Sequence, residues 1–369
     1  MEKINYDEHY SGLFRSSSAD RLKFWLMPFA IFVLFGFPTF GSSGVVSGYI
    51  QNLSKFVIPT FFVLSGFFIL TPDDTERGKK IINAVKRTFF TFLIMFAVYT
   101  VINLIYYSYK HAGWAWTANL LSGSNVFKFL ALNIYPFSMG ASLSFIHRYF
   151  YACIVLLILD KCKLLKQPVI YVPLLVILFT VMLSCGEFAK VLGITYFSYL
   201  PGLAITMTLP YMLLGMVIRK HANSILNIPR YVFAILFVLG FAMSIAELVA
   251  LNKFELFVYG GHTVGFMVMA VSLCCFALAN TNRSQSFVAI HGRSYSKRIY
   301  YLCPVVNMIA LNLIQTAVPK RYRGSIGDFL SVFIYLICLF LAYAIGKLKF
   351  TFFMNMTTND RKYRDPHIL

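Results

Sequence analysis

Four ionisable side chains lie inside long apolar runs of this 369-residue chain: His147, Arg148, Glu247 and His262. A charged group in hydrocarbon costs ~2.5–3.5 kcal/mol on insertion scales, so each asks for a partner or a purpose. At ~1.5 Å per helical residue, all four fall within ~10 Å of the same end level of their runs. A shared level permits one polar cluster, in which Glu247 neutralises Arg148 and the two histidines line a wet cavity. The alternative is that Arg148 and Glu247 each snorkel outward independently. A second group marks the opposite ends of the runs: Arg21, Lys23, Lys86, Arg87, Lys297 and Arg298. Arg and Lys bind phosphate through charge-assisted hydrogen bonds, so this group suits a pocket for a phosphorylated donor. It equally suits topology and contact with anionic lipid. A basic mouth on one face and a polar cluster near the other would serve chemistry that links the two faces.

The elements that must position these residues are apolar helices. Apolar residues make up 59% of the chain and charged residues only 13%. A soluble domain of this length carries roughly twice that charge fraction. The apolar residues come in blocks of about 20, the length that crosses a hydrocarbon core of ~30 Å as a helix. Ten blocks can be read, at 22–40, 54–71, 87–108, 142–160, 168–186, 199–218, 231–251, 257–279, 299–317 and 329–348. The short alternating segments of a β-barrel are not seen. The expected class is therefore all-α, a polytopic membrane protein of about ten transmembrane helices.

The net charge of +19 is best explained by its distribution. With the N-terminus on the cytoplasmic side, 24 of the 33 Lys and Arg fall on inner segments, 8 on outer ones, and Arg148 within a block. That is the positive-inside pattern, which places both termini in the cytoplasm. The basic balance then reports topology and gives no reason to invoke nucleic acid. The first apolar block is too long for a signal-peptide core and lacks a small-residue cleavage site, so it reads as a signal anchor. The seven cysteines mostly lie in apolar blocks, without C-x-x-C spacing and in odd number, which points to neither a disulfide framework nor a zinc site.

The chain divides into a cytoplasmic tail (1–20), one transmembrane domain (21–349) and a second cytoplasmic tail (350–369). Segment 71–87 reads as a charged inner connector broken by Pro72-Asp73-Asp74. Segment 109–141, with Trp114, Trp116 and an apolar run from Val126 to Tyr135, reads as an outer stretch lying in or dipping into the interface. Internal repeats of the transporter kind are not apparent. Neither are P-loop, dinucleotide, zinc-protease or nucleophile-elbow motifs. Gly260-Gly261-His262 reads as a loop entering a helix.

Several stretches, in order, resemble the acyltransferase-3 family of bacterial membrane acyltransferases. The best is Ile58-Pro-Thr-Phe-Phe-Val-Leu-Ser-Gly-Phe-Phe-Ile-Leu70, similar to the family's second-helix signature of proline, aromatic run and Ser-Gly-Phe. Small residues at Ser65 and Gly66 remove bulk, so another helix or a ligand can approach closely. Lys79-Lys80 through Lys86-Arg87 resembles the basic entry to the third helix. Ser144-Phe-Ile-His-Arg-Tyr-Phe150 resembles the opening of the next, without its Trp. Tyr211-Met-Leu-Leu-Gly-Met-Val-Ile218 and Tyr295-Ser-Lys-Arg-Ile-Tyr-Tyr-Leu-Cys-Pro304 resemble later signatures.

The resemblance spans roughly residues 20–345. It implies transfer of an acyl group from cytoplasmic acyl-CoA to an envelope polysaccharide or its lipid-linked precursor, in the bacterial inner membrane. Arg21, Lys86, Arg87, Arg298, Ser65 and Gly66 would then hold the donor. Two departures bear on the chemistry. Phe37 stands where the family's first helix has the histidine regarded as catalytic base, and Cys303 stands where a late histidine is usual. A base is needed to take the proton from a sugar hydroxyl, a task suited to imidazole. His147 would carry it, with Arg148 polarising a carbonyl or pairing with Glu247, and with His262 as second choice. Alternatively, the chain is an inactive relative that serves polysaccharide export or synthesis. Cys303 reads as an inert apolar thiol.

Overall fold

The computed structural model describes residues 17–36, 53–134, 140–194, 203–255, 263–279 and 287–347, and the described residues contain helices and no strand. The described residues form thirteen α-helices in order. They are α1 (Ser17–Phe35), α2 (Val57–Ile69), α3 (Asp74–Tyr109), α4 (Gly113–Leu120), α5 (Gly123–Leu132), α6 (Gly140–Lys161) and α7 (Pro168–Ser184). Then come α8 (Leu209–Lys220), α9 (Ala222–Leu226), α10 (Arg230–Lys253), α11 (Val264–Leu278), α12 (Phe287–Ala317) and α13 (Lys320–Lys347). Every one of the ten apolar blocks coincides, where described, with one of these helices. Among the described residues, four helices are long and apolar enough to cross a membrane by length and composition: α3, α6, α10 and α12. Four further apolar stretches are shorter: Ser54–Ile69, Pro168–Ser184, Val264–Leu278 and Phe329–Ile345.

Three helices, α3, α12 and α13, begin well before their apolar blocks. The segment 71–87, read from sequence as a connector, is mostly the first turns of α3. Asp73 caps it, its carboxylate accepting from Thr75 N at 2.9 Å and Glu76 N at 3.5 Å. Arg77, almost fully buried, then ties this extension to α6 by donating to Asp160 at 2.6 Å, and it also donates to Asp74 within α3 at 2.5 Å. Lys166 also pairs with Asp74. The hydrogen bond from Lys166 leads in holding the Asp74 carboxyl below its ordinary range. α12 likewise starts at Phe287, ahead of the block at 299.

The helices pack in pairs: α10 on α11, α1 on α12, α2 on α8, α12 on α13, and α3 on α6. α2 is the hub, also touching α1, α3 and α11. Its crossing with α8 is a small-residue seam. A β-carbon on Gly66 would come within 2.7 Å of Met212 Cα, and one on Gly215 within 2.6 Å of Phe67 N. The expected close approach at Ser65-Gly66 is thus borne by Gly66 and met by Gly215 from the other side. A second seam joins α1 to α12, where a β-carbon on Gly292 would sit 3.1 Å from Phe24 N and still nearer the Asp20 carbonyl.

Candidate functional site

Five helices, α1, α2, α3, α6 and α12, enclose a cavity of about 240 Å³. Its body is aromatic and hydroxylic: Phe61, Phe145, Tyr149 and Tyr300 with Ser65 and Thr91. Spacing explains how the helices reach it. Phe61, Ser65 and Phe68 are one face of α2 at helical intervals, while Gly66 turns away into the α8 seam. Phe62 stacks on Phe145 with ring centroids 4.7 Å apart, which fixes α6 against α2. Ser65 donates to Phe61 O at 2.8 Å. The Tyr149 hydroxyl faces Ser65 and Cys153 and lies in the field of Arg87.

Lys23, Arg87, Arg293 and Lys297 also line the cavity. They come from the basic ends of α1, α3 and α12, so the charge collects towards one end. Asp20 organises two of them. It is 1% exposed, and its carboxylate accepts from Lys23 Nζ and from Arg293 Nε, both at 2.9 Å. Burial pushes the Asp20 carboxyl up, but Lys23 and Arg293 outweigh it and hold the group below its ordinary range. Lys23 also lies 5.9 Å above the Phe68 ring. The arrangement can accept an anionic group at its basic end and an extended, partly apolar chain along its body.

Of the residues expected to hold a donor, Arg87 and Ser65 line this cavity. Gly66 stands behind the wall in the helix seam. Arg298 is buried elsewhere, donating to Ala342 O at 3.4 Å with its guanidinium 5.6 Å from the Tyr295 ring centroid. Lys86 is exposed and Arg21 half-buried, and neither lines the cavity.

Of the four residues expected to cluster near the other face, the three described ones, His147 and Arg148 on α6 and Glu247 on α10, lie on helices that do not pack on one another. His147 is 2% exposed in an aromatic box, with Phe92, Phe129 and Tyr151 ring centroids at 5.2, 5.4 and 4.3 Å. It does not line the cavity. Arg148 reaches Met207 Sδ at 3.2 Å. Glu247 is engaged at the α10–α11 seam, accepting from Gly265 N at 3.1 Å. His262 and Phe37 lie outside the described residues. Cys303 is fully buried, its thiol donating to Tyr300 O at 3.1 Å.

Sequence reasoning missed Asp20 and Arg293. Asp20 falls just ahead of the first block, and Arg293 six residues ahead of the ninth, so both read as connector charges. The available signal was that the helices could begin earlier, since Ser-Ser-Ala precedes Asp20 and no breaker separates Arg293 from the apolar run. Comparison with known protein families, curated proteins and solved structures finds no match to this chain. The class defined by fold and site is an all-α protein with apolar helices, several of membrane length, around a cavity that is basic at one end.

Proposed function

We propose that this protein is a membrane O-acyltransferase of the bacterial inner membrane, with about ten spans and both termini in the cytoplasm. It takes an acyl group from cytoplasmic acyl-CoA and passes it to an envelope polysaccharide or its lipid-linked precursor. The observation that carries this reading is the cavity with Lys23, Arg87, Arg293 and Lys297 among its lining. The positive-inside count assigns those helix ends to the cytoplasm, where a phosphorylated donor is met. The size sharpens the assignment. A cavity of about 240 Å³ is smaller than the ~300–1,000 Å³ usual for whole-ligand sites. The reactive arm of the donor therefore enters, and its phosphates stay at the basic mouth. The test is thioester hydrolysis by the purified protein with acyl-CoA, with and without polysaccharide. Hydrolysis that polysaccharide converts into transfer supports the reading, and inertness towards every acyl donor overturns it.

A second reading is favoured by one specific observation. Among the described residues, the cavity-lining side chains include neither histidine nor carboxylate, and Phe37 and Cys303 occupy the positions where the resemblance calls for histidine. A protein that keeps the donor pocket without the base would serve polysaccharide export or act as a partner in synthesis. Acyl-CoA binding without turnover would select it.

A further inference from the structure

The segment after α3 does not lie flat across the end of the bundle. α4 doubles back beside α3: Trp116 stacks on Tyr107 with centroids 5.5 Å apart. α5 then docks much farther along. Phe129 lies 6.0 Å from Phe92 and 5.3 Å from Phe96 by ring centroids. Those two residues are about 20–25 Å from the Tyr109 end of α3 at ~1.5 Å per residue. The return to α6 is tied by Tyr151, which donates to Leu130 O at 3.0 Å, and by Asn133, which donates to Ser144 O at 3.1 Å. The helical pair therefore runs alongside the apolar length of α3.

What covers the outer side of this pair follows from its neighbours. α3 exposes Leu93, Val101, Leu104 and Ile105 along the same length, and these apolar side chains need a non-aqueous surrounding. The pair itself exposes Leu121 at 70%, Phe127 at 65% and Leu130 at 50%. Two of its polar side chains, Thr117 and Asn125, are satisfied from within, as hydrocarbon favours. Asn125 Nδ2 donates to Asn119 O at 2.8 Å and Oδ1 at 2.7 Å, and Thr117 donates to Gly113 O at 2.8 Å. Lys128 is long enough to carry its charge to the interface. We infer that α4–α5 is a re-entrant helical hairpin whose exposed face, Leu121, Phe127 and Leu130, is covered by lipid acyl chains below the headgroup level. The inference is independent of the acyltransferase reading.

The chain's three tryptophans, Trp25, Trp114 and Trp116, make the test clean once replaced by Phe. In that background Phe127→Trp reports the hairpin after reconstitution into phosphatidylcholine vesicles. Lipids brominated midway along the acyl chain should quench its emission more than lipids brominated near the headgroup, and aqueous iodide should leave it unchanged. Quenching by iodide would put the face in water and overturn the inference. Shielding from both quenchers would put a second copy of the chain there and also overturn it. If the tryptophan-free background fails to fold, Leu130→Cys in the native chain answers the same question. No new labelling by a membrane-impermeant maleimide is expected in vesicles, with labelling after detergent, and labelling in intact vesicles would overturn the inference.

Discussion

Gly66 of α2 lies directly against the Met212 backbone of α8, with room for a hydrogen atom and not for a methyl group. The obstacle is backbone on a second helix, which cannot swing aside as a flexible side chain would. Gly66→Ala should therefore cost about 1–3 kcal/mol, as overpacked cores do, and Gly66→Leu more. Ser65→Ala, one residue away but facing the cavity, should be close to neutral. Thermal unfolding of the three variants in one detergent checks the contrast, and equal midpoints would remove the seam from the account.

Asp20 supplies an acid-sensitive contact. Its folded-state pKa is held below the ordinary 3.8 because Lys23 and Arg293 outweigh burial. A depressed carboxylate stabilises fully above its unfolded value, and the contribution is lost as pH falls through the folded one. Thermal stability should thus drop on acidification below 3.8. Asp20→Asn should lower stability at neutral pH and flatten the acid limb. Its cost should fall below the ~3–5 kcal/mol of a fully buried pair, because Lys23 and Arg293 remain partly exposed.

Arg87 and Lys297 line the cavity, whereas Lys86 points away from it. A hydrogen bond to a charged group contributes about 1.5–3 kcal/mol. Arg87→Gln and Lys297→Gln should each weaken acyl-CoA binding by roughly 10–100-fold on that scale. Lys86→Gln, adjacent in sequence, should leave affinity unchanged. Titration calorimetry on the purified protein distinguishes the three.

His147 makes its contacts as an aromatic ring among aromatic rings. His147→Phe preserves that packing, while His147→Ala opens a hole and should cost about 2–4 kcal/mol, in line with large-to-small core changes. If transfer takes place in the cavity, His147→Phe keeps acyl-transfer activity within a few-fold. A loss of ~10²–10⁴ in rate with the fold intact would instead restore His147 as the base.

Length and hydropathy made the helices legible, because a block of about 20 apolar residues has few alternatives to a helix. Ser65-Gly66 was legible for a similar reason: two small residues inside a bulky aromatic run mark a place where something comes close. The seam partner Gly215 could be read only as a motif, since sequence does not say which helix it meets. From sequence, His147, Arg148 and Glu247 had an expected common level but no lateral position. They sit on helices that face different neighbours, so a common level did not make a cluster. The cavity was beyond reach because five helices contribute to it, each with a few side chains that look ordinary alone. Helix starts were obscured at α3, α12 and α13, where charged residues continue the helix ahead of the apolar block.

The α1–α12 seam also sets an order of assembly. Asp20 and Arg293 are 273 residues apart in the chain, so the first helix is made long before its main neighbour. At ~5–20 residues per second, the interval is on the order of 10–60 s. During synthesis α1 is complete with Gly292 and Arg293 still to come, and α2 likewise waits for α8. The bundle therefore closes from its two ends late, and chains truncated before α12 leave the Asp20 carboxylate with Lys23 as its charge partner and without Arg293.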